Sequence, residues 1–280
     1  MKTYISIIVL LILCQSLIAQ TADELNSLGI KYAKKDKSDK AFSAFDKAIN
    51  LNPNLPGPYA NRANIHRFRK EFELAIADYS KFLELSPDNI DALYARAGVY
   101  KDVKEFKKAI SDYSKVIEIK PSFEDIFFDR AYSYIRLEDY ENAKNDLESQ
   151  LKISPKDFKS FANLINVKKK LKLYDEALAD YEKIIIEFPN EPNLHILYNN
   201  RAVTYKELNR PEEALEDINK ALKINKNYSV GYLTRAGIYL DLEDKKNACK
   251  DFKKALSLDL EKHPSFEVDE DFEKLKSLCD

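Results

Sequence analysis

Tryptophan is absent from this 280-residue chain, and glycine occurs only five times. With so little glycine, neither a Gly-rich phosphate cradle nor a Gly-x-Ser-x-Gly nucleophile turn is present. Histidine is scarce as well. His66, His195 and His263 are widely scattered, and none has a second ligand type at metal spacing, so no metal or cofactor is expected. An excess of one charge is also missing: 45 Lys and Arg face 47 Asp and Glu, for a net charge of −2. Such a balance gives no general pull on nucleic acid or anionic lipid, and Lys168–Lys172 reads as a solvated helix face. The carboxylates are many, but no pair stands out as an acid–base couple. The chain reads as a non-enzyme.

What is present is a period. Alanine recurs at Ala41, Ala75, Ala109, Ala143 and Ala177, always 34 residues apart, and after a three-residue slip at Ala214 and Ala248. A fixed period of that length marks a stacked helical repeat. The units run 22–55, 56–89, 90–123, 124–157, 158–191, 195–228 and 229–262. Each carries two helical patterns, as in the third, where Leu93, Arg96, Ala97 and Tyr100 share one face and Ala109, Tyr113 and Val116 another. Pro53, Pro87, Pro121, Pro155 and Pro189 end the second helices. Apolar residues make up 45% of the chain, and 17 Tyr and 15 Phe supply rings for a continuous core.

The first unit carries Leu25, Leu28-Gly29, Tyr32, Ala41, Phe45, Ala48 and Pro53, and on these residues the chain resembles a tetratricopeptide repeat protein. The resemblance covers residues 22 to about 262. It implies an all-α fold, a right-handed superhelical α-solenoid of seven helix-turn-helix repeats. Small residues at the eighth position (Gly29, Ala63, Ala97, Ala131, Ala202, Ala236) let paired helices approach, while Tyr79, Tyr113, Tyr181 and Phe252 fill the space between. Repeat five departs from this, with Ile165 at the eighth position and Lys168 where an aromatic is usual. Repeat four has Gln150 at an expected small position. Pro192 suits the first turn of a helix, which would start the next helix a turn early. Residues 263–280 form the expected capping helix, with Val268, Phe272, Leu275 and Cys279 on one side.

The seventh position holds Arg62, Arg96, Arg130, Arg201 and Arg235, and the twenty-third holds Asp78, Asp112, Asp146, Asp217 and Asp251 in the same five repeats. Asp180 alone lacks its Arg, because repeat five has Leu164. Matching within one repeat leaves one orphan, whereas matching to the preceding repeat leaves three. An Arg–Asp pair inside each repeat follows, since a buried Arg needs a carboxylate.

Residues 1–19 stand apart. Lys2 supplies a positive start, and Ile5–Leu13 is an apolar run too short to span a bilayer, which reads as a secretory signal peptide. Cleavage is expected after Ala19, giving a mature start at Gln20 or Thr21. Cys14 follows Leu13, not the small residue a lipidation box requires. No second apolar span remains, so the mature chain is expected to be exported, periplasmic or secreted, with no stable membrane span. For Cys249 and Cys279, two free thiols are expected, with a disulfide to the cap as the alternative.

With positions 4, 7, 8 and 11 in the core, positions 2, 5, 6, 9, 12 and 13 face the other way. In the family these line a concave groove for peptides. Here they give Asn61, Asn64, Arg67, Phe68, Tyr94, Lys101, Phe128, Tyr132, Arg136, Asn163, Asn166 and Lys170, with Asp129 among them. Rings beside amides and basic groups suit a peptide ligand. A carboxylate clamp of the chaperone-binding subclass is not met: where it needs Lys and Asn, then Asn, then Lys and Arg, the chain has Asn26 and Ile30, Asn61, then Asp91 and Ala95. The function implied is a scaffold holding a protein or peptide partner. The alternative is an accessory or chaperone subunit of an envelope enzyme or secretion machine. The sequence leaves the oligomeric state open.

Overall fold

A computed structural model of the chain describes residues 20–279 apart from Glu124, Pro264, Ser265, Glu267 and Asp269. The signal segment read at residues 1–19, with its cleavage point and Cys14, lies outside the described residues. Among those described, the chain forms fifteen α-helices and one 3₁₀ turn, with no strand. It divides into two compact units, residues 1–139 and 140–280.

The first unit holds α1 (Ala22–Ala33), α2 (Ser38–Leu51), α3 (Pro56–Phe68), α4 (Phe72–Leu85), α5 (Ile90–Asp102), α6 (Phe106–Ile119) and α7 (Ile126–Arg136). A capping box starts α1: the Thr21 hydroxyl accepts from the Glu24 N–H at 3.2 Å, and Glu24 Oε2 accepts from the Thr21 N–H at 2.9 Å. The second helices α2, α4 and α6 each end two residues before their proline. Ala41, Ala75 and Ala109 are fully buried, and the Phe45 ring lies so close to Gly29 that a β-carbon there would overlap it.

The second unit holds α8 (Tyr140–Ile153), α9 (Phe158–Lys170), α10 (Tyr174–Glu187), α11 (Leu194–Glu207), α12 (Pro211–Ile224), α13 (Ser229–Asp241), α14 (Lys245–Leu256) and α15 (Glu270–Cys279). Pro192 does not open α11. Leu194 begins it, after a turn in which the Leu194 N–H reaches the Glu191 carbonyl at 3.0 Å. The cap is shorter than expected, starting at Glu270, and Val268 is 60% exposed while Phe272, Leu275 and Cys279 are buried. Cys249 and Cys279 are joined in a disulfide, with Cα atoms 5.2 Å apart, instead of standing as two free thiols.

The scarcity of glycine has a structural cost. The fifteenth residue of every repeat sits in the left-handed region at φ between 55° and 63°, and it is Asp36, Lys70, Lys104, Glu138, Lys172, Asn209 or Glu243, never glycine. Left-handed backbone costs an L-residue roughly 1–2 kcal/mol. A hydrogen bond from the sixteenth N–H to the eleventh carbonyl, as from Glu105 to Tyr100 at 2.8 Å, offsets part of it.

Four of the expected Arg–Asp pairs form, and Arg62, Arg96, Arg130 and Arg235 each make a bond beyond the expected pair. Arg96 grips both oxygens of Asp112 at 2.8 Å through Nε and Nη2. Arg62 does the same to Asp78, Arg201 to Asp217 and Arg235 to Asp251. Arg130 and Asp146 fall in different units. The remaining Nη1 reaches back to the twenty-fifth residue of the preceding repeat: Arg62 to Asp46 at 2.8 Å, Arg96 to Ser80 at 3.0 Å, Arg130 to Ser114 at 2.9 Å and Arg235 to Asn219 at 2.7 Å. One guanidinium thus pins its own helix pair and ties it to the previous one. Burial works against the Arg96 charge, but Asp112 more than offsets it and leaves the pKa raised.

Asp180 is not an orphan. Lys168 Nζ lies 2.6 Å from its Oδ2, with Glu176 at 3.4 Å. Lys168 sits one helical turn beyond Leu164, so its amine reaches the carboxylate that an Arg at the seventh position would hold. Burial opposes its charge, yet the carboxylates prevail and its pKa is raised. Leu164 in place of the Arg and Lys168 in place of the aromatic are one exchange.

Candidate functional site

The first helices α1 and α3 and the second helix α2 enclose an open cavity of about 460 Å³ in the first unit. Ile30, Ala33 and Lys34 form one wall from α1 and its end, Phe45 the floor from α2, and Asn61, Asn64, Ile65 and Phe68 the other wall from α3. Phe68 is 85% exposed, an apolar ring held at the mouth by the last turn of α3. Neighbouring Arg67 and Lys34 are exposed cations.

Two amides on α3 have fixed orientations. The Tyr79 hydroxyl donates to Asn64 Oδ1 at 2.6 Å, which turns the Asn64 NH₂ outward. Asn61 Nδ2 donates to Asn26 Oδ1 at 3.0 Å, which leaves the Asn61 oxygen as an acceptor. Side by side, three residues apart on one helix, they offer one donor and one acceptor, the complement of a peptide N–H and C=O. Burial pushes the Tyr79 hydroxyl up, with Arg67 pulling the other way, so this support stays protonated and keeps donating.

Further along the same unit, Tyr94 is not a free groove ring. It packs on Tyr113 and Phe123, with centroids 5.7 and 5.0 Å away, and its hydroxyl donates to Asp129 Oδ2 at 2.5 Å. Asp129, expected in the groove, is buried and also accepts from Lys101 Nζ at 2.6 Å. Buried carboxylates need such partners, and here the preceding repeat supplies both. Lys101 lies over the Tyr132 ring at 5.7 Å, and Tyr132 meets Phe106 edge-on at 6.4 Å while remaining 39% exposed. Arg136 stacks on Phe106 at 5.5 Å, and Phe128 is half-buried. A cation and a half-open aromatic surface are the result.

Family models described as the tetratricopeptide repeat match residues 57–89, 90–123, 124–157, 195–228 and 231–262, more than half of the chain. The chain is a tetratricopeptide repeat protein. Proteins of this family typically mediate protein–protein interactions as non-enzymatic scaffolds. This tetratricopeptide repeat protein is 25% identical to a solved relative from Parabacteroides merdae, with a TM-score of 0.56 over 92% of this chain and 97% of that one. It is 27% identical to YrrB, a repeat protein described as having an unusual peptide-binding site, with a TM-score of 0.56 over 67% of this chain and 95% of that one. A stretch of 61 residues is 43% identical to heat shock protein STI1 of Saccharomyces cerevisiae, covering 22% of this chain. The match spans a tenth of that relative's length.

In the second unit of the repeat protein the expected groove residues gather less. Asn163 Nδ2 donates to the Lys159 carbonyl of its own helix at 2.9 Å, so its amide is engaged locally. Asn166 and Lys170 are exposed on α9. A cavity of about 500 Å³ on α10–α12 is lined by Arg201, Arg210, Glu213 and Lys220, whose charges pair among themselves or with Asp217 and Glu216. Among the described residues no group of side chains could hold a metal ion, and no helix is long and apolar enough to cross a membrane.

The positional rule yielded Asn61, Asn64 and Phe68. It missed Ile30, Ala33 and Lys34, although these hold the ninth, twelfth and thirteenth positions of the first repeat. The same rule, applied to repeat one, identifies the missing wall.

Proposed function

We propose that this protein is an exported scaffold that holds an extended segment of a protein partner along the first helices of its amino-terminal unit. The cavity under Phe68 carries the reading. It offers an apolar seat between Ile30, Phe45, Ile65 and Phe68, an outward donor and acceptor on Asn64 and Asn61, and the charges of Lys34 and Asp36, with Arg67 exposed beside it. Backbone pairing through the amides and one buried apolar side chain are what an extended peptide presents. A Phe left open to water at such a mouth gains on the order of 1.5–3 kcal/mol when covered. YrrB, similar over two thirds of this chain, supports a peptide as the ligand class. The signal-like segment at residues 1–19 and the Cys249–Cys279 disulfide support a periplasmic or secreted location.

Affinity capture of the native partner by the mature chain, beside its Phe68→Asp variant, is the test. Phe68 supports nothing beneath it, so helicity should be unchanged while capture falls at least tenfold. A partner retained equally by both proteins rejects the cavity as the site.

A further inference from the structure

The carboxy-terminal helix α15 occupies a place that a ligand could take. Its first turn is acidic, with Glu270, Asp271 and Glu273, and Phe272, Leu275 and Cys279 follow on its buried side. Phe272 meets Phe252 of α14 edge-on, centroids 5.4 Å apart. The acidic end reaches the groove-facing positions of the last two repeats. Lys206, at the twelfth position of repeat six, places Nζ 2.8 Å from Asp271 and 3.3 Å from Asp241. Gly237, at the ninth position of repeat seven, lies so near Asp271 that a β-carbon would stand 2.9 Å from its Oδ2. These are the positions that Arg67 and Asn64 hold in repeat two. At its other end α15 is tied to α14 by the Cys249–Cys279 bond.

We propose that the face beneath α15 is a second docking surface, that it takes an acidic amphipathic helix of a partner, and that the disulfide keeps it closed. The occupant's chemistry is read from α15 itself: carboxylates for Lys206, then apolar side chains at the spacing of Phe272, Leu275 and Cys279. Opening is a thiol–disulfide exchange. One thiolate of a dithiol reductant attacks Cys249 Sγ, on the half-buried side of the bond, and Cys279 leaves as a thiolate. The second thiol of the reductant then closes its own disulfide and releases Cys249. The reductant loses two electrons, and the two cysteines gain them and take up two protons. A bond between residues 30 apart in sequence favours the closed helix by roughly a hundredfold over the reduced chain.

A fluorescein-labelled peptide of residues 266–280 carrying Cys279→Ser is the probe, added to the full mature chain. With the chain reduced by a phosphine, or in its Cys279→Ser variant, the probe should bind at least tenfold more tightly than to the oxidised chain. Lys206→Glu should abolish that gain. Hydrogen exchange on the same samples should show α15 alone losing protection on reduction. Equal binding in both redox states, binding in neither, a gain indifferent to Lys206→Glu, or unchanged protection of α15 would each overturn the proposal.

Discussion

Replacing Arg96 by Ala tests the two-way guanidinium. Asp112 is 3% exposed, and Arg96 is the cation that grips both its oxygens, so the variant leaves a buried carboxylate without its partner. Breaking a buried pair from one side costs about 3–5 kcal/mol. The contact with the Tyr100 ring, 5.7 Å from the guanidinium carbon, adds about 0.5–1 kcal/mol. Removing both charges is different. Arg96→Met with Asp112→Leu fills the volume and strands no buried charge, releasing only the half-buried Ser80 hydroxyl, so the double variant should lie within about 1 kcal/mol of the parent. Urea unfolding followed by far-ultraviolet circular dichroism gives the differences for Arg96→Ala, for Arg96→Met and Asp112→Leu singly, and for the double variant. Because repeats unfold as coupled neighbours, hydrogen exchange in α5 and α6 localises the loss. A loss below about 1 kcal/mol for Arg96→Ala, or a double variant as weak as the sum of the singles, would refute the reasoning.

Two further outcomes are expected. Lys168→Ala should destabilise α9 and α10 by stranding Asp180, and adding Leu164→Arg should restore most of the loss; an inert Leu164→Arg would show that Lys168 does not stand in for the missing Arg. Native protein should begin at Gln20 or Thr21 when its amino terminus is sequenced, and a retained Met1 would end the export proposal.

What was legible in the sequence was what closes inside one repeat. The alanine period, the prolines two residues past five of the second helices and the Arg–Asp pairs all join residues within 34 of one another and recur as fixed residue types. What crosses from repeat to repeat was hidden. The backward reach of the arginines ends on Asp46, Ser80, Ser114 or Asn219, a column of changing chemistry that no repeat pattern flags. Tyr94 looked like a groove ring because its partner Asp129 belongs to the next repeat. Lys168 and Leu164 read as two unrelated departures because their exchange is visible only once Asp180 is placed between them. For the site, a positional rule found one wall. The cavity needed the other, and only packing against Phe45 brings Ile30 and Asn61 to one opening. The disulfide depended on the short α15 reaching back to α14, which spacing alone could not decide.

The backward bond from Arg62 to Asp46 bears on the affinity of the peptide proposed for the cavity. It joins α3 to α2, two of the helices that bound the cavity under Phe68, and the Arg69–Asp39 pair at 2.5 Å joins the same two repeats. The opening is therefore held at one width before any ligand arrives, and an incoming peptide need not supply the entropy of narrowing it. Side chains outside the cavity thus set how rigid the proposed peptide seat is, and loosening Asp46 should weaken the proposed binding by letting the empty cavity breathe.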